Sequence, residues 1–249
     1  MNVEAYLKRI NYDGPLEPTP ETLRRLQVAH LLSVPFENLS IHSGEAIILD
    51  DEALFQKVVE RRRGGFCYEL NGLFAALLRS LGFEVAMLSA QVANAEGDFG
   101  PDFDHMTLMV TMEERWLADV GFGDSFIEPL ALDRRDEQAQ GNRAYRIVFD
   151  AERLVVQCSD HGGKWQPQYR FTLHPYQYSD YAEMCRYHQT SSMSHFTKGR
   201  ICSRLTPRGR ISLADMRFIT SEDGDRRERS VVSQDEYAEI LRQDFGIVM

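Results

Sequence analysis

A glycine pair, Gly64-Gly65, breaks the chain just ahead of Phe66-Cys67. A run of apolar residues at helical spacing follows: Leu70, Leu73, Phe74, Leu77, Leu78 and Leu81. Steps of three and four put these side chains on one face, so the segment is satisfied only as a helix laid against a core. Gly82 closes it as a residue suited to the left-handed turn at a helix end. Cys67 then falls in the first turn, where backbone N–H groups lack intrahelical acceptors and the potential is positive. That placement predicts a lowered Cys67 pKa, unlike that of a structural cysteine packed inside an element.

The rest of the first third also reads helical. A short helix is predicted over Val3–Ile10, and Thr19-Pro20 supplies an N-cap and a first-turn proline for a helix running to Ser33, stopped by Pro35. Asp50 caps a further helix through Glu60. Near Phe83 the period changes. Strands are predicted over Val85–Val92, Met106–Met112, Arg115–Val120, Tyr145–Phe149, Leu154–Cys158 and Tyr169–Leu173, with a hairpin turn at Glu113-Glu114. Residues 94–104 and most of 121–143 read as loop. The last third is mixed: a short helix over Ser179–Tyr187, strands over Arg200–Leu205 and Arg217–Thr220, and a final helix opening at Ser233-Gln234-Asp235-Glu236. There is no internal repeat and no low-complexity linker.

A chain of 249 residues buries a substantial core, as one large domain or as two to three packed lobes. The net charge of −10 disfavours nucleic acid or an anionic membrane as partner. Two arginine clusters run against it, Arg61-Arg62-Arg63 and Arg226-Arg227-Arg229. Both read as solvated faces or local ion pairs, and the first, beside Cys67, is also placed to support a thiolate or an anionic substrate. The charged N-terminus lacks the apolar stretch of a secretory signal, and no apolar run approaches a membrane span. Cys67, Cys158, Cys185 and Cys202 are widely spaced, which predicts free thiols in a reducing, cytoplasmic setting. Nothing in these features sets an oligomeric state.

A cysteine nucleophile needs a base for its proton and a third group to orient that base. His105 opens one predicted strand and Asp119 lies at the end of the next. An antiparallel hairpin folds the two together, with the helix start carrying Cys67 facing both. Taken singly, His105 is as readily a hydrogen-bonded surface residue and Asp119 a turn former; the conjunction points to catalysis.

These residues resemble the arylamine N-acetyltransferase family. The R-G-G-x-C-x-E-x-N pattern matches Arg63 to Asn71, V-P-F-E-N-L matches Val34 to Leu39, and D-V-G-F-G matches Asp119 to Gly123. Weaker likeness runs through Ser194-His195-Phe196-Thr197 and Gly209–Leu213 to Asp244–Ile247. The resemblance implies an α+β, three-lobed cysteine-protease/transglutaminase-like fold: an N-terminal helical bundle carrying the cysteine (1–83), a central β-barrel carrying histidine and aspartate (84–178), and a C-terminal α/β lid (179–249). The succession of helices, strands and mixed elements read above follows the same order. The resemblance also implies a Cys67-His105-Asp119 triad and an acceptor pocket lined by Phe36, Phe122 and Phe196. It implies no metal, acetyl-CoA as donor, and arylamines, arylhydrazines or N-hydroxyarylamines as acceptors, through an acetyl-cysteine in a ping-pong cycle, with the Cys67 backbone N–H helping to hold the oxyanion. Many members continue for a further helix past the F-G-I segment, whereas this sequence ends at Met249, and the resemblance assigns no CoA contacts here.

Three other readings compete. An amide (macrolactam) synthase of polyketide biosynthesis shares the triad. A cysteine peptidase or transglutaminase uses the same three residues on peptide amides, although a phenylalanine-rich pocket and a G-F-G loop argue against it. A metal-stabilised binding module would draw on Cys185, His188, His195 and Cys202, or on Asp102, Asp104 and His105; the first set has uneven gaps, and the second competes with a triad role for His105. No P-loop, G-x-G-x-x-G or H-E-x-x-H pattern occurs.

Overall fold

The computed structural model describes residues 1–160 and 162–248; Met249, the last residue of the expected lid, lies outside the described residues. The first third is helical. Helix α1 spans Val3–Arg9 and α2 spans Pro20–Ser33, the latter capped by Thr19, whose hydroxyl accepts from the Thr22 N–H at 3.2 Å. A two-residue strand, β1 (Phe36–Glu37), and a short helix, α3 (Leu39–Ser43), precede α4 (Asp51–Phe55), which Asp50 caps as expected. The α-helix expected through Glu60 instead widens into a π-helical turn at Gln56–Glu60. That turn brings Lys57 inward, where its ammonium donates to Glu69 at 2.7 Å. Helix α5 (Cys67–Ser80) follows, and Gly82 takes the left-handed conformation just beyond it, at φ +88°.

Eight strands then form one antiparallel, nearly closed barrel: β2 (Glu84–Val92), β3 (His105–Thr111), β4 (Arg115–Ala118), β5 (Leu130–Ala131), β6 (Gln138–Gln140), β7 (Arg143–Asp150), β8 (Arg153–Asp160) and β9 (Gln166–Tyr176). Their order is β5-β4-β3-β2-β9-β8-β7-β6, so β5 and β6 face each other across a seam without a backbone ladder. Two glutamine side chains bridge it. Gln138 accepts from the Ala131 N–H and donates to the Ala131 carbonyl, at 2.8 and 3.1 Å. Gln140 accepts from the Ile127 and Glu128 N–H groups and donates to the Glu128 carbonyl, at 2.8, 3.0 and 2.7 Å. A side-chain amide carries the same donor and acceptor as a peptide, so each glutamine stands in for a missing ladder bond.

The C-terminal part holds α6 (Ala182–Thr190) between two short 3-10 helices (Tyr178–Tyr181 and His195–Thr197), an antiparallel run of β10 (Ile201–Thr206), β11 (Gly209–Ala214), β12 (Arg217–Glu222) and β13 (Asp225–Ser230), and α7 (Gln234–Asp244). β1 joins this sheet beside β10, tying the helical part to the C-terminal part. Sequence patterning missed β1, β11 and β13 here, and β5 and β6 of the barrel, which lie in the stretch 121–143 read mostly as loop. In β13 all six residues are exposed, so the edge strand carries no apolar alternation.

Three apolar clusters underlie this α+β architecture. One gathers α5 with Met106, Leu108 and Val110 of β3; one fills the barrel around Leu88, Leu117, Tyr145, Ile147 and Phe171; one joins Leu213 of β11 to Tyr237, Ile240 and Leu241 of α7. Alternate β3 side chains thus pack on the helical core, which seats α5 against the barrel wall. Leu73 and Leu77 are fully buried there, and truncating either to alanine costs about 2–5 kcal/mol. Among the described residues no helix is long and apolar enough to cross a membrane.

Candidate active site

Cys67 is the first residue of α5, so its N–H has no intrahelical acceptor. The helix start is fixed by Glu69, whose carboxylate accepts from the Phe66 N–H at 3.1 Å and from Lys57. His105 opens β3, and the β3–β4 hairpin pairs Leu108 with Ala118, which returns the chain beside it. His105 Nε2 lies 2.7 Å from Asp119 Oδ2, and a carboxylate only accepts, so Nε2–H donates and Nδ1 is left to exchange a proton. Cys67, His105 and Asp119 are 3%, 2% and 3% exposed.

Asp119 is held from several directions. Its Oδ1 accepts from Asn71 Nδ2 and from the Gly121 N–H, both at 2.9 Å, and its own N–H donates to Gln27 Oε1 at 3.1 Å. Asn71 also donates to the Met106 carbonyl at 2.6 Å and accepts from the Val120 N–H at 2.9 Å. Sequence reasoning gave Asn71 no role of its own. The available signal was a polar side chain four residues after Cys67 on the helix's apolar face.

A cavity of about 400 Å³ opens over this arrangement. Cys67, His105, Phe36, Phe122 and Phe196 all line it, and Asp119 lies behind His105 outside the lining. Phe122 meets the His105 ring edge-to-face at 5.2 Å, and Phe36 and Phe196 approach at 6.2 Å. The G-F-G segment owes its glycines to this packing. A Cβ on Gly121 would lie 2.8 Å from Cys67 Cα, and Gly123 adopts φ +94°, a conformation strained for any residue with a side chain.

Burial pushes the Cys67 thiol well up, against the lowering expected from the helix start, with the Met106 N–H pulling the other way and Asp104 and Asp119 opposing a negative sulfur. A lone thiolate is therefore costly in this cavity, and proton transfer to a neighbouring imidazole that stays paired with it is the cheaper route to a nucleophile.

The first arginine cluster is structural. Arg63 is buried against Glu37 at 2.9 Å and Arg61 pairs with Glu45 at 2.7 Å, so neither guanidinium is committed to the sulfur. In the second, Arg226 and Arg229 pair with Glu228 and Glu236. The metal readings do not assemble. Cys185 belongs to the helical core and Cys202 to the C-terminal core, while Asp102 pairs with Arg153 at 3.2 Å. Among the described residues no group of three or more His, Cys, Asp or Glu side chains is placed to hold a metal ion.

A protein-family model described as N-acetyltransferase matches residues 19–249. This chain belongs to the arylamine N-acetyltransferase family. A Salmonella typhimurium relative, arylamine N-acetyltransferase / N-hydroxyarylamine O-acetyltransferase, is 34% identical over 98% of this chain and 88% of its own. Proansamycin X synthase of Amycolatopsis mediterranei is 32% identical over 98% of each chain. The structure of the Mycobacterium marinum arylamine N-acetyltransferase in complex with CoA superposes with a TM-score of 0.91, at 31% identity, over 99% of this chain and 93% of that one. Family membership replaces the peptidase and binding-module readings.

Proposed function

We propose that this enzyme moves an acetyl group from acetyl-CoA to Cys67, and from Cys67 to the nitrogen of an arylamine or arylhydrazine or the oxygen of an N-hydroxyarylamine. The carrying observation is a cysteine at a helix start sharing one apolar cavity with a histidine whose far nitrogen is bonded to a buried carboxylate. His105 Nδ1 takes the Cys67 proton as sulfur attacks the thioester carbonyl. The Cys67 N–H, free of intrahelical bonding, supports the oxyanion, and CoA leaves as its thiol with the proton from His105. The amine then attacks the acetyl-cysteine. The N–C bond forms, the C–S bond breaks, and a nitrogen proton passes through His105 to the sulfur. Phe36, Phe122 and Phe196 offer aromatic walls to a flat acceptor.

Residues 1–83, 84–178 and 179–249 act in this reading as cysteine-bearing bundle, histidine- and aspartate-bearing barrel, and lid. The three apolar clusters favour that division, although Tyr181, Cys185 and Phe196 of the lid pack into the first core. Four unpaired cysteines favour the cytoplasm. Initial rates at several fixed acceptor concentrations test the cycle: parallel double-reciprocal lines are expected, and intersecting lines contradict a covalent shuttle.

The full-length match to proansamycin X synthase favours a second reading, an amide synthase taking a larger acyl group. A long-chain acyl thioester that loads Cys67 far faster than acetyl-CoA does would select it.

A further inference from the structure

Asp104, next to His105, lines the Cys67 cavity and takes no part in the triad. The chain goes to some length to place it there. Phe103, the residue before it, is in the left-handed region at φ +62°, a conformation unfavourable for a non-glycine residue that persists only where its surroundings enforce it. Here they do. The Phe103 N–H donates to Ser89 Oγ at 2.7 Å, its carbonyl accepts from the Tyr68 hydroxyl at 2.6 Å, and its ring packs against Tyr176 and Tyr181. The Asp104 carboxylate lies beside His188, with Oδ1 3.3 Å from Nε2, close enough for an ion pair with the protonated ring but not aligned as a hydrogen bond. His188 is 2% exposed and is fixed in turn by Ser194 Oγ at 3.0 Å and by the rings of Tyr68 and Phe196.

Of the other polar lining residues outside the triad, His195 lies against the Phe196 ring at 3.9 Å, and Asn38 and Arg200 are committed elsewhere. Asn38 donates to the Phe196 and Gly199 carbonyls and accepts from the Ile201 N–H. Arg200 turns its guanidinium onto the Tyr237 ring at 4.2 Å and toward Gln234. Burial holds the His195 pKa below that of a free imidazole, with Asp104 pulling the other way, and among the described residues Asp104 makes no ion pair with a lining residue, so its carboxylate faces a largely aromatic cavity. It does so at a cost to catalysis, since its charge works against a negative sulfur on Cys67. In the second half of the cycle the sulfur is acylated and uncharged, and there the carboxylate meets the acceptor without opposing a thiolate.

We propose that Asp104, placed in the cavity by the Phe103 turn, determines acceptor specificity: its carboxylate accepts an N–H bond from the incoming amine or hydrazine and disfavours acceptors that carry a carboxylate of their own. This rests on the acetyl-transfer reading above. A neutral nitrogen attacking the acetyl-cysteine gains positive charge as the N–C bond forms, and a nearby carboxylate favours that change. A second carboxylate on the acceptor is repelled in the same confined, poorly screened space.

The test separates loading from unloading. Acetyl-enzyme is formed with acetyl-CoA, confirmed by intact mass and freed of donor. Its decay is then followed with 4-aminobenzoate and with the matched uncharged ethyl ester, in wild type, D104N and D104S. Each acceptor is referenced to its reaction with a simple thioester in solution. In wild type the ester is expected to outpace the acid by about tenfold beyond that reference, a ratio of the size that like charges several ångströms apart in a partly wet site produce. In both variants the ratio falls towards the reference, chiefly because the acid speeds up. A structural role for Asp104 would slow both acceptors in parallel, and that result, or no excess ratio in wild type, overturns the proposal while leaving acetyl transfer standing. If wild type forms no acetyl-enzyme, acetyl transfer falls and this inference falls with it.

Discussion

Asn71 Nδ2 donates to Asp119 Oδ1 at 2.9 Å, while the other oxygen of Asp119 faces His105 Nε2 at 2.7 Å. One buried carboxylate thus ties the helix that presents Cys67 to the strand that presents His105. The register between Cys67 and His105 is set by this tie as much as by the packing of α5 on β3.

Asn71→Ala should therefore misplace the pair without removing either member. The expected outcome is a loss of about 10- to 100-fold in the rate of acetyl-enzyme formation, on the scale of a sub-ångström to one-ångström displacement, with Cys67 still titratable by a thiol reagent. Rapid-quench measurement of acetyl-Cys67 checks it.

Gly121→Ala places a methyl 2.8 Å from both Cys67 Cα and Asn71 Nδ2. Neither the helix start nor the bonded amide can retreat cheaply. The expected cost is about 1–3 kcal/mol of stability together with near-complete loss of activity. Thermal denaturation alongside an acetylation assay distinguishes this from simple unfolding.

The barrel seam predicts an effect on stability alone. Gln140→Ala orphans the Ile127 and Glu128 N–H groups and the Glu128 carbonyl, away from the Cys67 cavity. A loss of about 1–3 kcal/mol in urea unfolding is expected with acetyl-enzyme formation retained.

His30 supplies the pH dependence. Burial, aided by Arg9, pushes its pKa down to about 3, and its Nδ1 lies 2.9 Å from the Tyr6 hydroxyl. The unfolded chain binds this proton near pH 6.5 and the folded chain does not, so the contribution is full above about 6.5 and is lost as pH falls towards 3. His30→Leu should reduce the slope of unfolding free energy between those limits by up to about 1.4 kcal/mol per pH unit. Chemical denaturation at a series of pH values measures it.

Much of this was legible because it is local. The apolar spacing after Cys67 fixed α5, Glu113-Glu114 fixed the hairpin, and together they carry His105 to Asp119. What escaped depends on partners distant in sequence. Gln27 reaches the Asp119 N–H across 92 residues, and Asn38 reaches Phe196 across 158. His188 meets Asp104 only once α6 packs on the helical core, and no spacing rule links them. The strand β13 was invisible because its charged residues alternate nothing, and the π turn at Gln56–Glu60 because its residues are ordinary helix formers whose widening serves the Lys57–Glu69 pair.

The most direct test of the account is intact mass after mixing the pure protein with acetyl-CoA alone, for wild type and Cys67→Ala. One acetyl group gained by wild type, lost on adding an arylamine and absent from the variant, is the predicted result. A wild type whose thiol reacts with an alkylating reagent yet gains no acetyl group would contradict it.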